Sequence, residues 1–96
     1  MPEALSDTRL VARNPKHPWC DLGGEIVILR TEDNAYYRLD ATGRALWLRL
    51  ETPQTMGALL AALVAEFDAP AAQIASETRE FVERCHELDL LTIPDA

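Results

Sequence analysis

The sequence predicts an α+β domain: a three-stranded antiparallel sheet followed by three helices. Three observations predict it. Residues 19–39 hold short alternating or apolar runs separated by turn residues. From residue 40 to 88 the apolar positions recur at helical spacing. The chain has 96 residues, which is room for one domain with one core, so residues 1–96 are read as a single unit.

The first strand is Trp19-Cys20-Asp21-Leu22, short and alternating. Gly23-Gly24 follows, a pair that tolerates positive φ and suits a tight hairpin. Glu25-Ile26-Val27-Ile28-Leu29-Arg30 carries four apolar residues in a row, three of them β-branched. Such a run is covered on both faces, which marks it as the central strand. Thr31-Glu32-Asp33-Asn34 is a polar turn. In the third strand, Ala35, Tyr37 and Leu39 share one face, and Tyr36 and Arg38 share the other. A meander of three strands makes this last one an edge.

Asp40 suits the N-cap of the first helix, whose stripe is Leu39, Gly43, Leu46, Trp47 and Leu50. Gly43 lies inside that stripe, where a missing side chain permits close packing. Thr52-Pro53-Gln54 breaks the chain, and Thr55 caps the second helix. Met56, Leu59, Leu60, Leu63, Val64 and Phe67 form its apolar face. Asp68-Ala69-Pro70 ends it, with Pro70 suited to the first turn of a third helix. There the stripe is Ile74, Thr78, Phe81, Cys85 and Leu88, with Val82 alongside. Leu90, Leu91 and Ile93 make a short apolar tail. Residues 1–16 are mostly polar, with an apolar patch at Leu10-Val11-Ala12. Pro15 and Pro18 interrupt regular structure there, and residues 1–9 are read as flexible.

Charge excludes several roles. The net charge is −7. Residues 1–50 are balanced, while residues 51–96 carry nine acids against Arg79 and Arg84. Phosphate backbones and anionic membranes are repelled by such a half. No apolar run is long enough for a transmembrane helix, and the acidic start lacks the order of a signal peptide. The expected compartment is the cytoplasm. Cys20 and Cys85 are too few for a disulfide framework and are expected as thiols, Cys85 in the core.

Each candidate chemistry has a plainer reading beside it. His17-x-x-Cys20 and Cys85-His86 offer four metal ligands, but neighbouring helical residues diverge by roughly 100° and do not share one tetrahedral ion easily. A core cysteine with surface histidines fits better, so no metal and no other cofactor is expected. Neither cysteine sits in a nucleophile elbow, and Gly23-Gly24 is explained by the hairpin rather than by a phosphate loop. The acids of the third helix have the spacing of a solvated face, and no enzyme is expected. A winged helix-turn-helix would put that acidic helix into the major groove with the wrong sign. Peptide binding remains. The edge strand Ala35–Leu39 has unpaired backbone groups. If the third helix lies near it, an extended peptide can add as a further strand. The plainer alternative is one core tyrosine and one solvated.

The order of these pieces resembles the PqqD-like family, the small recognition elements of pathways that modify ribosomally made peptides. The resemblance runs from about residue 10 to 91. It is carried by Asp21-Leu22-Gly23-Gly24 through Leu29, by Asn34-Ala35-Tyr36-Tyr37-Arg38-Leu39-Asp40, by Thr42-Gly43-Arg44-Ala45-Leu46-Trp47, by Thr55 to Phe67, and by Phe81 to Leu91. There are two departures. Gly57-Ala58 stand where the family often has an acid, which weakens the helix start. Asp89 replaces a usual glycine, so the third helix is expected to end differently.

The resemblance implies a winged helix-turn-helix-like fold and a non-catalytic role. The domain would bind the leader peptide of a precursor between the third strand and third helix, then present it to a leader peptidase or modifying enzyme. The implied groove residues are Val27, Leu29, Ala35, Tyr36, Tyr37, Arg38, Leu39, Ile74, Glu77, Thr78, Phe81, Val82 and Cys85, some of which must be core. The Tyr36-Tyr37-x-Leu39-Asp40 strand end and the stand-alone length look more like the lasso-peptide type. The alternatives are a chaperone of the pyrroloquinoline quinone precursor, or a winged-helix DNA-binding or structural subunit.

Overall fold

A computed structural model of the chain describes residues 6–94. The elements run β1 (Leu10–Arg13), β2 (Trp19–Asp21), β3 (Ile26–Arg30), β4 (Ala35–Leu39), α1 (Ala41–Arg49), β5 (Gln54–Thr55), α2 (Met56–Glu66), α3 (Ala71–Glu87) and β6 (Leu91–Thr92). The expected meander is present, antiparallel in the order β2-β3-β4, with β3 central and β4 at an edge. Ile26 and Ile28 of β3 are fully buried, whereas Val27 and Leu29 on its other face are half-buried. The central strand is thus fully covered on one face only.

A second sheet was not expected. Leu10–Arg13 is a strand at the centre of β5-β1-β6. Leu10 and Val11 pair with Thr55 and Gln54, and Ala12 and Arg13 pair with Thr92 and Leu91. The partners lie more than 40 and more than 75 positions away, and each is two residues long. Residues 6–9 are held as well. The Asp7 carbonyl accepts from the Gly57 N–H at 2.9 Å, and the Asp7 carboxylate ion-pairs with Arg79. Residues 1–5, the rest of the segment read as flexible, lie outside the described residues.

The helices follow their capping signals. The Asp40 side chain accepts from Gly43 N–H at 3.1 Å and that of Thr55 from Ala58 N–H at 3.1 Å, so each satisfies one unpaired donor of the first turn. Leu39, Gly43, Leu46, Trp47 and Leu50 are all buried, as their spacing predicts. In α2 the buried seam narrows to Met56, Leu59 and Leu63, and Val64 is 37% exposed. Pro70 stands just before α3 rather than inside its first turn. With Ile26, Ile28, Val82, Leu90 and Leu91 these residues form one core. Fully burying each such side chain contributes about 1.5–3 kcal/mol.

Arg13 joins the two sheets. Its guanidinium lies 4.7 Å from the Trp19 ring centroid and 5.5 Å from that of Trp47, and the two indoles meet edge-on at 6.0 Å. It donates to the Trp47 carbonyl at 2.7 Å, which also accepts the Leu50 N–H at 3.0 Å where α1 closes. Desolvation lowers its pKa, an effect that Glu51 opposes.

His17 corrects the expectation of surface histidines. It is 2% exposed, while His86 is exposed as expected. Its Nδ1 accepts the Thr31 N–H at 3.1 Å, which puts the ring proton on Nε2, 3.1 Å from Asp89 Oδ2. Asp89 in turn corrects the expected helix end. Its φ is +69°, and Asp89 N–H bonds the His86 carbonyl while Leu90 N–H bonds the Cys85 carbonyl. That is the ordinary glycine-type closure of a helix with an aspartate in the left-handed position. The Asp89 carboxylate, held by His17 and by Asn14 Nδ2 at 3.0 Å, offsets the conformational cost.

Candidate functional site

The hairpin turn determines which backbone groups of β4 are free. Gly23, at φ +93°, and Gly24 form a two-residue turn, and Leu22 N–H bonds the Glu25 carbonyl at 2.8 Å. Antiparallel bonding alternates, so Cys20 and Val27 are the next bonded pair. Leu29 N–H reaches the Pro18 carbonyl at 2.9 Å in the same phase. Glu25, Val27 and Leu29 therefore direct their backbone groups to β2. Ile26, Ile28 and Arg30 direct theirs to β4, where they face Leu39, Tyr37 and Ala35. Tyr36 and Arg38 are left with N–H and C=O groups pointing away from the sheet. No described strand covers that edge.

The third helix stands beside the edge. Glu77, Phe81, Arg84 and Leu88 share one helical face by their spacing. A methyl group added at Gly43 would stand 3.0 Å from Leu39 Cβ and 3.2 Å from Phe81 Cζ, so Phe81 packs where β4 ends. Arg30, which pairs with the first residue of β4, donates to the Leu88 carbonyl at 3.3 Å. Helix α3 therefore runs back along the sheet, Phe81 at the Leu39 end and Leu88 at the Ala35 end. Gly43 permits this close approach: a side chain there would make Leu39 or Phe81 give way by a few tenths of an ångström.

The expected groove residues divide into four groups. Leu39, Val82 and Cys85 are 5%, 0% and 3% exposed and belong to the core. Burial pushes the Cys85 thiol up to about 12, so it is a packed thiol rather than a nucleophile. Val27 and Leu29 share the outer face of the sheet with Tyr36 and Arg38, opposite the helices. Tyr36 is 68% exposed, and Arg38 pairs with Glu25 at 2.9 Å. Ala35 and Tyr37 face inward and are half-buried, with the Arg30 guanidinium 5.6 Å from the Tyr37 ring centroid. Ile74, Glu77, Thr78 and Phe81 line a cavity of about 430 Å³ between the three helices.

Residues absent from the expected groove set complete that cavity. Asp40, Thr42, Gly43 and Leu46 of the α1 end, and Leu63, Phe67, Asp68 and Ala69 of the α2 end, also line it. The apolar stripes of the three helices mark Leu46, Leu63 and Phe67 as inward-facing, but not as neighbours of one opening. A larger hollow of about 750 Å³ lies between α1 and α2, walled by Ala41, Ala45, Ala58 and Ala62. It borders neither β4 nor α3, so it takes no part in this arrangement.

An exposed strand edge flanked by a helix, with an apolar cavity at its end, can take an extended polypeptide by main-chain pairing. Fold and site thus define a small α+β domain with a surface for an added strand. The sequence matches the family model described as coenzyme PQQ synthesis protein D (PqqD) over residues 25–91, and the chain belongs to that family. A solved structure of TbiB1 in complex with the TbiA(beta) leader peptide has the same fold, with a TM-score of 0.76 and 22% sequence identity. The match covers 83% of this chain and 93% of that one. Among curated proteins no sequence matches significantly. The described residues contain no helix long and apolar enough to cross a membrane, and no group of three metal-binding side chains.

Proposed function

We propose that the domain is a non-catalytic recognition element that binds the leader segment of a ribosomally made precursor peptide, in the lasso-peptide manner, and delivers it to a leader peptidase or modifying enzyme in the cytoplasm. The observation that carries this reading is the outward backbone of Tyr36 and Arg38 beside α3, in a chain of the PqqD family. A structural relative with this fold is known with a leader peptide bound, which supports it.

In this mechanism the leader is unstructured when free and is ordered on binding. Its backbone pairs with Tyr36 and Arg38, and alternate side chains turn toward Phe81 and α3. Binding then raises the local concentration of the rest of the precursor at the partner enzyme. The domain itself makes and breaks no covalent bond.

The test is fluorescence polarisation with labelled leader peptides from precursor genes encoded beside this protein's gene. Saturable binding to one leader is expected, with none to a random DNA duplex. Tyr36→Pro removes one outward donor and leaves the bonds to β3 intact, so it is expected to weaken binding at least about tenfold. Normal leader binding by a folded Tyr36→Pro protein would overturn the strand-addition reading.

A further inference from the structure

We infer that the cavity among the three helices is a side-chain pocket for a peptide that carries a lysine or arginine next to an aromatic or aliphatic anchor. The inference rests on the strand-addition reading and names the chemistry of the peptide it would take.

The cavity begins where the open edge ends. Asp40, the residue after β4, and Phe81, packed beside Leu39, both line it. A strand laid along Tyr36 and Arg38 continues over Asp40 into the opening. The interior is apolar, with Leu46, Leu63, Phe67, Ile74 and Phe81. A volume of about 430 Å³ accommodates a large side chain with its flanking backbone.

The rim is charged, and its charge is uncompensated. Asp40, Asp68, Glu77 and Glu80 surround the cavity against one base, Arg84. Among the described residues none of these four carboxylates forms an ion pair; Asp40 caps α1 and Glu77 accepts from Gln73. The contrast with the sheet is sharp. Asp21, Glu25, Glu32 and Asp33 are each paired with Arg44, Arg38, Lys16 and Arg30. The excess negative charge of the chain thus includes a cluster at this opening. Like charges around a low-dielectric hollow concentrate the field there and draw in a cation. An ammonium or guanidinium with an aliphatic stem can lie along the apolar wall while its head reaches Glu77 and Glu80.

The experiment is a selection of random twelve-residue peptides by mRNA display on the immobilised full chain. It is run in parallel on the Tyr36→Pro and Glu77→Gln/Glu80→Gln variants, whose changes lie at exposed positions. Enriched peptides are expected to carry Lys or Arg within two positions of Phe, Tyr, Leu or Ile. The double glutamine variant is expected to lose that bias. It should bind a selected peptide about three- to tenfold more weakly, with a flatter salt dependence. Enrichment of apolar peptides that depends on Tyr36 but shows no basic bias overturns this inference and leaves strand addition standing. So does equal affinity for the double variant. If no peptide is enriched, or if those enriched ignore Tyr36→Pro, strand addition fails and the inference with it. A stable dimer that peptide does not dissociate, seen by sedimentation, gives the edge to a second copy and overturns both.

Discussion

The two sheets treat their backbone edges in opposite ways. In β5-β1-β6 the central strand has a partner on each side, and the outer strands are two residues long, too short to template further pairing. Around it Arg13 closes α1, and His17 links Thr31 to Asp89. In β2-β3-β4 the last strand keeps a five-residue open edge, and Glu77 and Glu80 of the neighbouring helix form no ion pair among the described residues. Strand backbone is paired on both sides of β1 and left open along one side of β4. On the proposed function, stability and recognition fall to different regions, so substitutions in the two should have separable effects.

The largest effect is expected on the closed flank. Leu91 is fully buried in β6, and Leu91→Ala is expected to cost about 2–5 kcal/mol of stability in urea unfolding. Peptide affinity per folded molecule should not change. A cost below about 1 kcal/mol would break the comparison, because this flank would then not be the stabilising one.

A smaller loss is expected from Asp89→Ala, measured as a drop in Tm against pH. The His17 hydrogen bond, helped by Lys16, holds the Asp89 carboxyl below the usual carboxylate range. A depressed carboxylate contributes stability that is fully present above its unfolded pKa, about 4, and is lost as pH falls through the lower folded value. The gap between the natural chain and Asp89→Ala should therefore be widest near neutrality and should close in acid. A gap that is constant with pH would mean that the left-handed backbone, rather than the His17 contact, sets the cost.

On the open flank Tyr36→Pro should shift stability by no more than about 0.5 kcal/mol while it reduces binding. A large loss of stability would show that the edge also holds the fold together.

The smallest effect is chemical. With iodoacetamide at pH 8 the folded chain should be alkylated at exposed Cys20 and spared at Cys85, whose thiol is pushed up to about 12. Equal rates at both would mean that the core opens on the labelling timescale.

The meander and the three helices were legible in the sequence because their signals are local. Alternation, apolar stripes and the Asp40 and Thr55 caps lie within a few residues of what they specify. β1 was not legible. Four residues with a weak apolar patch become a strand only through partners at residues 54–55 and 91–92. His17 was misread for the same reason, since what buries it comes from Thr31 and Asp89. Asp89 shows a local rule overridden: its side chain makes tertiary bonds that a glycine could not. The edge strand of the candidate site was legible from alternation, but the cavity was not. Its wall joins the ends of three helices, and no short-range pattern records that meeting.

The pairing of β1 with β6 has a consequence for how the domain can be built into larger proteins. The strands run antiparallel, Ala12 opposite Thr92 and Arg13 opposite Leu91, so the chain enters and leaves the fold side by side. A unit with adjacent entry and exit can be spliced into a loop of a host protein without parting the loop's two ends. Its open strand lies in the other sheet and would remain accessible. The same closure that fastens residues 12–13 to residues 91–92 thus makes the domain a portable cassette.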